Sequence, residues 1–284
     1  MTSIAWYETA PLSESSHQIL MPHSSLQVSE FLILGSDDAL LIDAGIGVGD
    51  LAGFLAEITE TEPLLGLTHS HWDHIGNAHQ FDRVVVHPAE RPADGRITTD
   101  SLSDIFARRP QQFVADQRTE GLPFPEGFDP DGFDIPPADG VGTIEPGDSI
   151  DLGDRTVEVI ALPGHSPGHV GFLDRTDGIL YAGDAIRGDG VVLAYFDHSD
   201  VEAYRETIDR VRDLRDSGAF SLLASAHGGH VEGEELAILD ELSELLGRIL
   251  DDDLGYDVVE TDRDGTKIRQ YDTGFFEIKT PLNL

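Results

Sequence analysis

The sequence predicts an α/β fold, and three observations predict it. Aliphatic runs of strand length alternate with stretches whose apolar residues recur at helical spacing. Turn-forming residues cluster between these runs. Histidines and aspartates stand repeatedly just past the ends of strands, in glycine-containing turns where backbone can bend close to an ion.

The elements can be taken in order. Gln27 to Gly45 reads as two strands joined at Ser36-Asp37-Asp38, with Asp43 ending the second. Leu51, Phe54, Leu55 and Ile58 give Asp50 to Ile58 a helical spacing, and Pro63 precedes a short strand, Leu64 to Leu67. A histidine-rich turn follows, with a helix beginning near His74 and the next buried strand at Arg83 to Val86. From about Arg91 to Gly142 the alternation lapses, and residues 121–142 hold five prolines and five glycines, which is loop composition. Strands resume at Thr156 to Leu162, Val170 to Leu173 and Ile179 to Ala182. Helices are expected at 200–216 and 231–250, with strand Ser221 to Ser225 between them, and Tyr256 to Ile278 reads as strands around an Arg263-Asp264-Gly265 turn. The expected organisation is a single domain over 1–284 with a lid-like insertion at about 91–142 and a strand-like C-terminal extension at about 251–284.

Composition narrows the chemistry. With no cysteine among 284 residues, thiolate metal sites, disulfides and cysteine nucleophiles are excluded, so any metal is held by nitrogen and oxygen. The formal net charge is −36 and only Lys267 and Lys279 are lysines, so nucleic acid and anionic membrane surfaces are poor partners. The acids are dispersed and not gathered into a tail, a distribution that suits a halophilic protein, because at 1 M salt the Debye length falls to ~3 Å and self-repulsion is screened. Met1 to Ala10 lacks the basic start and apolar stretch of a signal peptide, and no window approaches ~20 apolar residues, so a soluble, cytoplasmic protein is expected.

The densest feature is Thr68-His69-Ser70-His71-Trp72-Asp73-His74, three imidazoles and a carboxylate within six positions directly after an apolar strand. Imidazole with carboxylate suits zinc, iron or manganese. Four donors could fill one tetrahedral site or begin two. Further donors of the same type follow three later strands: His165 in Leu162-Pro163-Gly164-His165, Asp184 in Tyr181-Ala182-Gly183-Asp184, and His227 in Ser225-Ala226-His227-Gly228. His169 and His87 are read as structural histidines outside the ligand set, while Tyr195, His198 and His230 are sequence neighbours of ligand loops that could donate a proton or meet substrate.

In motif order from about Gln27 to Gly229, excluding 91–142, these residues resemble the metallo-β-lactamase superfamily and its glyoxalase II-like branch of binuclear hydrolases. That resemblance implies a four-layer αββα sandwich with two zinc ions, alternatively iron or manganese, at one sheet edge. It implies that His69, His71 and His165 hold the first metal, that Asp73, His74 and His227 hold the second, that Asp184 bridges both, and that Asp43 stands behind the ligands. Asp73 is also the candidate catalytic residue, orienting hydroxide.

The implied chemistry is hydrolysis of an ester, thioester or lactone. Metal coordination brings the pKa of water from 15.7 to ~7, and a second ion can polarise a carbonyl. No serine stands in a G-x-S-x-G context. Three rivals remain open: a mononuclear iron dioxygenase of sulfur compounds, a phosphodiesterase or nuclease, and a metal-binding protein without turnover. Two departures bear on substrate. The chain ends in strand-like sequence where glyoxalase II has a basic helical region for glutathione, and Arg187 stands where family lactonases have tyrosine. A small molecule, possibly anionic, is the expected partner, because residues 91–118 hold Arg91, Arg96, Arg108, Arg109 and Arg118 against four aspartates in an otherwise acidic chain.

Overall fold

The computed structural model describes residues 5–261 and 264–284. Residues 1–4, which open the segment searched for a leader, and Arg263 of the expected turn lie outside them. The chain divides into two compact units, Met1–Glu145 with Ser149–Thr156, and Pro146–Asp148 with Val157–Leu284.

The first unit is built on a seven-stranded sheet in sequence order: β1 (Glu8–Pro11), β2 (Ser16–Leu20), β3 (Glu30–Leu34), β4 (Ala39–Ile42), β5 (Leu64–Gly66), β6 (Val84–Val86) and β7 (Gly142–Thr143). The pairs from β1 to β4 are antiparallel, and β4, β5, β6 and β7 run parallel. The parallel run has a consequence for function: the segments after β4, β5 and β6 all leave the same edge, so Asp43, the histidine turn and the residues around Pro88 emerge side by side. Strand β4 is buried at all four positions, which explains why it reads as an unbroken aliphatic run and not as an alternating one. Helices α1 (Leu51–Leu55), α2 (Trp72–Ile75) and α3 (Arg109–Thr119) and a further strand, β8 (Ser149–Asp151), also belong to this unit.

In the second unit β9 (Thr156–Ala161), β10 (Val170–Asp174), β11 (Ile179–Gly183), β13 (Leu222–Ser225) and β14 (His230–Glu232) form a sheet in the order β14-β13-β11-β10-β9. Strand β12 (Val191–Leu193) belongs instead to a four-stranded sheet, β12-β17-β16-β15, completed by β15 (Asp257–Glu260), β16 (Lys267–Asp272) and β17 (Glu277–Pro281). The larger sheet packs against α4 (Val201–Asp216) and α5 (Ile238–Leu250) through one apolar cluster containing Leu173, Leu180, Leu223, Ile208, Leu242 and Leu246. Helix α4 begins where Asp200 accepts a hydrogen bond from the Ala203 amide, and it buries Val201, Tyr204, Ile208 and Val211, one stripe at i, i+3, i+7 and i+10. Each such side chain contributes ~1.5–3 kcal/mol when fully buried.

Most predicted elements are present, with four corrections. The expected helix 231–250 begins at Ile238, after strand β14 and a 3-10 turn at Gly233–Ala237. The helix expected near His74 is a single turn that already starts at Trp72. Inside the 91–142 segment, where the alternation lapses and no element is expected, lies the three-turn helix α3, before the loop-like 121–142. Strands β1, β2, β7, β8 and β12 are further additions to the sequence reading. Among the described residues no helix is long and apolar enough to cross a membrane.

Candidate metal centre

Each unit carries part of the ligand-type set, at the edge where its strands end. In the first unit, β5 stops at Gly66 and the chain turns through Thr68 to Ile75. The ligand atoms of His69 and His71, of His69 and His74, and of Asp73 and His74 lie within 4.8 Å of one another, and all three histidines are buried. Asp43 organises this turn from beneath. Its Oδ1 accepts from the Thr68 amide at 2.8 Å, its Oδ2 from the Thr68 hydroxyl at 2.8 Å, and Oδ2 also lies 2.8 Å from His74 Nδ1. A carboxylate against Nδ1 puts the ring proton there and leaves Nε2 as the donor atom for a metal. The Thr68 hydroxyl lies 3.0 Å from His69 Nδ1 and does the same for the second ring. Asp43 holds this position with φ +60, in the left-handed region. Gly76 closes the turn: a Cβ there would strike the backbone of 45–47.

One residue of this arrangement has no sequence signature. Glu90 is fully buried, and its Oε2 accepts from the Ser70 amide at 3.1 Å while its backbone carbonyl accepts from the Ser70 hydroxyl at 2.6 Å. Ser70 separates His69 from His71, so Glu90 fixes the spacing of the pair. Outer-shell partners of this kind are worth 10- to 100-fold in metal affinity. Glu90→Gln is therefore expected to weaken metal binding by roughly tenfold, read by chelator competition, with the metal-free melting temperature little changed. Unaltered affinity would reduce Glu90 to a loop anchor.

In the second unit His165 lies between β9 and β10, Asp184 follows β11 and His227 follows β13. Because β11 and β13 are parallel and β9 runs antiparallel to β10, all three positions share one sheet edge. Asp184 faces a histidine with each oxygen: Oδ2 lies 3.7 Å from His165 Nε2, and Oδ1 lies 3.4 Å from His227 Nε2. Donors 2.0–2.2 Å from a tetrahedral ion stand about 3.4 Å apart, so both gaps fit a divalent cation placed between the pair. His165 Nδ1 sits 2.8 Å from the Leu193 carbonyl, which again turns Nε2 outward. Gly164, at φ +131, is required because a Cβ would strike the Tyr204 backbone. Burial, and then the Asp184 carboxylate, push the Tyr204 phenol far above its ordinary range, and its hydroxyl donates to the Asp184 carbonyl at 3.2 Å.

The remaining candidates separate cleanly. His169 Nε2 accepts from the Asp184 amide at 3.2 Å, so it positions the aspartate and is not itself aimed at a metal through that atom. His87 Nδ1 accepts from the Ala89 amide, a cap on a 3-10 turn, as its structural reading predicts. Burial lowers His198 to about 4 and lowers His230 below the usual histidine value, which keeps both neutral at pH 7. Arg187 pairs through Nε and Nη2 with both oxygens of Asp189 at 3.1 and 2.7 Å, and its Nη1 reaches Asp184 Oδ2 at 3.6 Å. Among the insertion's arginines, Arg96 and Arg118 pair with Asp139 and Asp131 at exposed positions, contacts worth ~0–1 kcal/mol. Arg109 lies over the Trp72 ring at 5.8 Å, and the Phe106 ring packs 4.3 Å from that of His71.

Comparison with known proteins agrees with this geometry. The family model of the metallo-β-lactamase superfamily matches residues 25–217. The chain is 32% identical over 251 residues to the acyl-coenzyme A thioesterase MBLAC2 of Gallus gallus, covering 83% of this chain and 86% of that protein. It is 25% identical over 213 residues to the hydroxyacylglutathione hydrolase GloC of Haemophilus influenzae, covering 74% and 90%. Among solved structures, a metallo-β-lactamase family protein of Thermus thermophilus superposes with a TM-score of 0.55 at 20% identity, over 87% of this chain and 80% of that one. The motif order, the histidine turn after a parallel strand and these matches agree: the chain belongs to the metallo-β-lactamase superfamily and is a metallohydrolase of that fold.

Proposed function

We propose that this protein hydrolyses acyl thioesters, with coenzyme A thioesters as the substrate class, at a binuclear centre held by His69, His71 and His165 on one side, by Asp73, His74 and His227 on the other, and by Asp184 between them. The observation that carries the reading is Asp184, one oxygen toward each of two histidines. The named thioesterase relative supports the substrate class. Two zinc ions would supply hydroxide at neutral pH and polarise the thioester carbonyl. The chain's own residues do the rest. Asp43 and Thr68 fix the imidazole tautomers, Asp73 orients the attacking hydroxide by accepting its proton in a hydrogen bond, and the insertion at 91–142, anchored by Phe106 on His71, acts as the lid. One water is consumed per turnover: its oxygen bonds the thioester carbonyl carbon, the C–S bond breaks, one water proton goes to the leaving sulfur and the other to solvent, so that a carboxylate, a thiol and a proton are released.

Because the chain has no cysteine, a thiol reagent detects only the product. A panel of acyl-CoA, lactone, oxyester and phosphodiester substrates on zinc-loaded protein should give thiol release with acyl-CoA as the highest kcat/KM, at two metal equivalents per chain. One saturating equivalent of iron, with oxygen uptake on persulfide, would replace this reading by the dioxygenase one.

The acidity carries a second part of the proposal, that the protein is cytoplasmic in a halophilic cell. A polyanionic coenzyme approaching a chain of net charge −36 is repelled over ~10 Å at 0.1 M salt and only ~3 Å at 1 M. The KM for acyl-CoA is therefore expected to fall as NaCl rises through this range; a KM that climbs would mean that local arginines govern the encounter. Arg108→Gln should raise that KM several-fold with kcat and metal content unchanged and with neutral esters unaffected. An equal effect on neutral esters would make Arg108 structural.

A further inference from the structure

A cavity of about 680 Å³ opens in the first unit and is lined by none of the proposed metal ligands. Five of its lining residues are aromatic, Trp6, Tyr7, Phe54, Phe128 and Phe133, in a chain only 7% aromatic. Four of them are paired: the rings of Tyr7 and Phe54 lie 5.4 Å apart, and those of Phe128 and Phe133 lie 5.0 Å apart, edge on. The same cavity presents four carboxylates, Asp50, Glu57, Glu126 and Asp134, and among the described residues no lysine or arginine lines it. Its one histidine, His79, is kept below the usual histidine range by burial. The Trp6 side chain is buried, and its indole N–H has no acceptor among the described residues.

We infer that this cavity binds an organic ammonium ion, a quaternary or substituted amine whose alkyl groups lie on the aromatic rings and whose charge is balanced by the carboxylate rim. Each ingredient excludes an alternative. Carboxylates without a counter-cation oppose any anion, the coenzyme included. Aromatic faces attract a weakly hydrated organic cation, by ~0.5–2 kcal/mol per favourable ring, and offer a small metal ion no oxygen donors of their own. A neutral apolar ligand would gain from the rings but nothing from the exposed carboxylate rim. A hydroxyl on the ligand would also satisfy the Trp6 N–H.

The test is calorimetric titration of the zinc-loaded full chain, in buffer held at 1 M NaCl so that diffuse surface charge is screened. Two probes are used: choline chloride and its uncharged isostere 3,3-dimethyl-1-butanol. Choline should bind one site saturably, and the isostere at least tenfold more weakly. Phe54→Leu, on α1 and outside the 91–142 insertion, should weaken choline by roughly tenfold without changing thiol release from acyl-CoA. If that variant does not fold by circular dichroism, Glu57→Gln, altered at one exposed position outside the insertion, takes its place with the same expectation. Equal binding of the two probes, absence of saturable choline heat, or full affinity in the folded variant would each overturn the assignment.

Discussion

Asp184→Asn is expected to abolish thioester hydrolysis by more than 100-fold and to reduce bound metal from two equivalents to below one. The size follows from its place: outer-shell changes cost 10- to 100-fold, and this carboxylate faces His165 with one oxygen and His227 with the other. An amide keeps the shape but removes a charge and one acceptor oxygen. His227→Ala should instead strip one equivalent and leave the other. Elemental analysis of both variants after zinc loading decides the matter, and a variant of Asp184 that retains two equivalents would refute the bridge.

Glu30→Gln is expected to stabilise the protein at pH 8 and to do little at pH 4.5. Glu30 is fully buried, and neither carboxyl oxygen has a hydrogen-bond partner among the described residues. Burial, and to a lesser degree the Asp43 charge, push its pKa from the ordinary 4.5 to about 8. Below the unfolded value the group is protonated in both states and has no effect. Between the two values the unfolded chain releases the proton that the folded chain keeps, so stability falls by ~1.4 kcal/mol per pH unit, and above the folded value the loss is complete. The full span amounts to at most ~5 kcal/mol, or ~10–20 °C in melting temperature for a chain of this size. Comparing the melting curves of the two proteins from pH 4.5 to 8.5 isolates Glu30 from the many surface acids. Parallel profiles would show that Glu30 is ionised in the fold at neutral pH.

How much of this was legible in the sequence depended on the kind of interaction involved. Strands β4 and β11 are buried along their whole length, so they appear as aliphatic runs, and the ligand-type residues stand out because few other roles need three imidazoles in six positions. Helix α3 did not appear, because its buried face is Pro110, Phe113, Val114 and Gln117. Gln117 is held by hydrogen bonds: its amide donates to the carbonyls of His23 and Pro123 and its oxygen accepts from the Ser25 amide. A polar residue buried in this way carries no hydrophobic period. The Pro110 at the helix start was a usable signal, since proline favours the first helical turn. Glu90 was invisible for a different reason: its partner Ser70 lies twenty residues away, and only the parallel alignment of β5 with β6 brings the segments that follow them together.

The left-handed backbone at Asp43 has a consequence for the protein's tolerance of change. A side chain held there stores ~1–3 kcal/mol of strain, which glycine would relieve and asparagine, tolerated there much as aspartate is, would not. The same residue supplies the carboxylate that receives Thr68 and His74. Local geometry and ligand chemistry therefore ask for different side chains at one position, and aspartate is the compromise that satisfies the second at the expense of the first. Asp43→Gly separates them: the backbone strain is released while Thr68 and His74 lose their anchor, so metal affinity, read by chelator competition, should fall far more than the melting temperature of the metal-free chain. A lineage drifting away from metal chemistry would be released from that compromise and could relax at this position early.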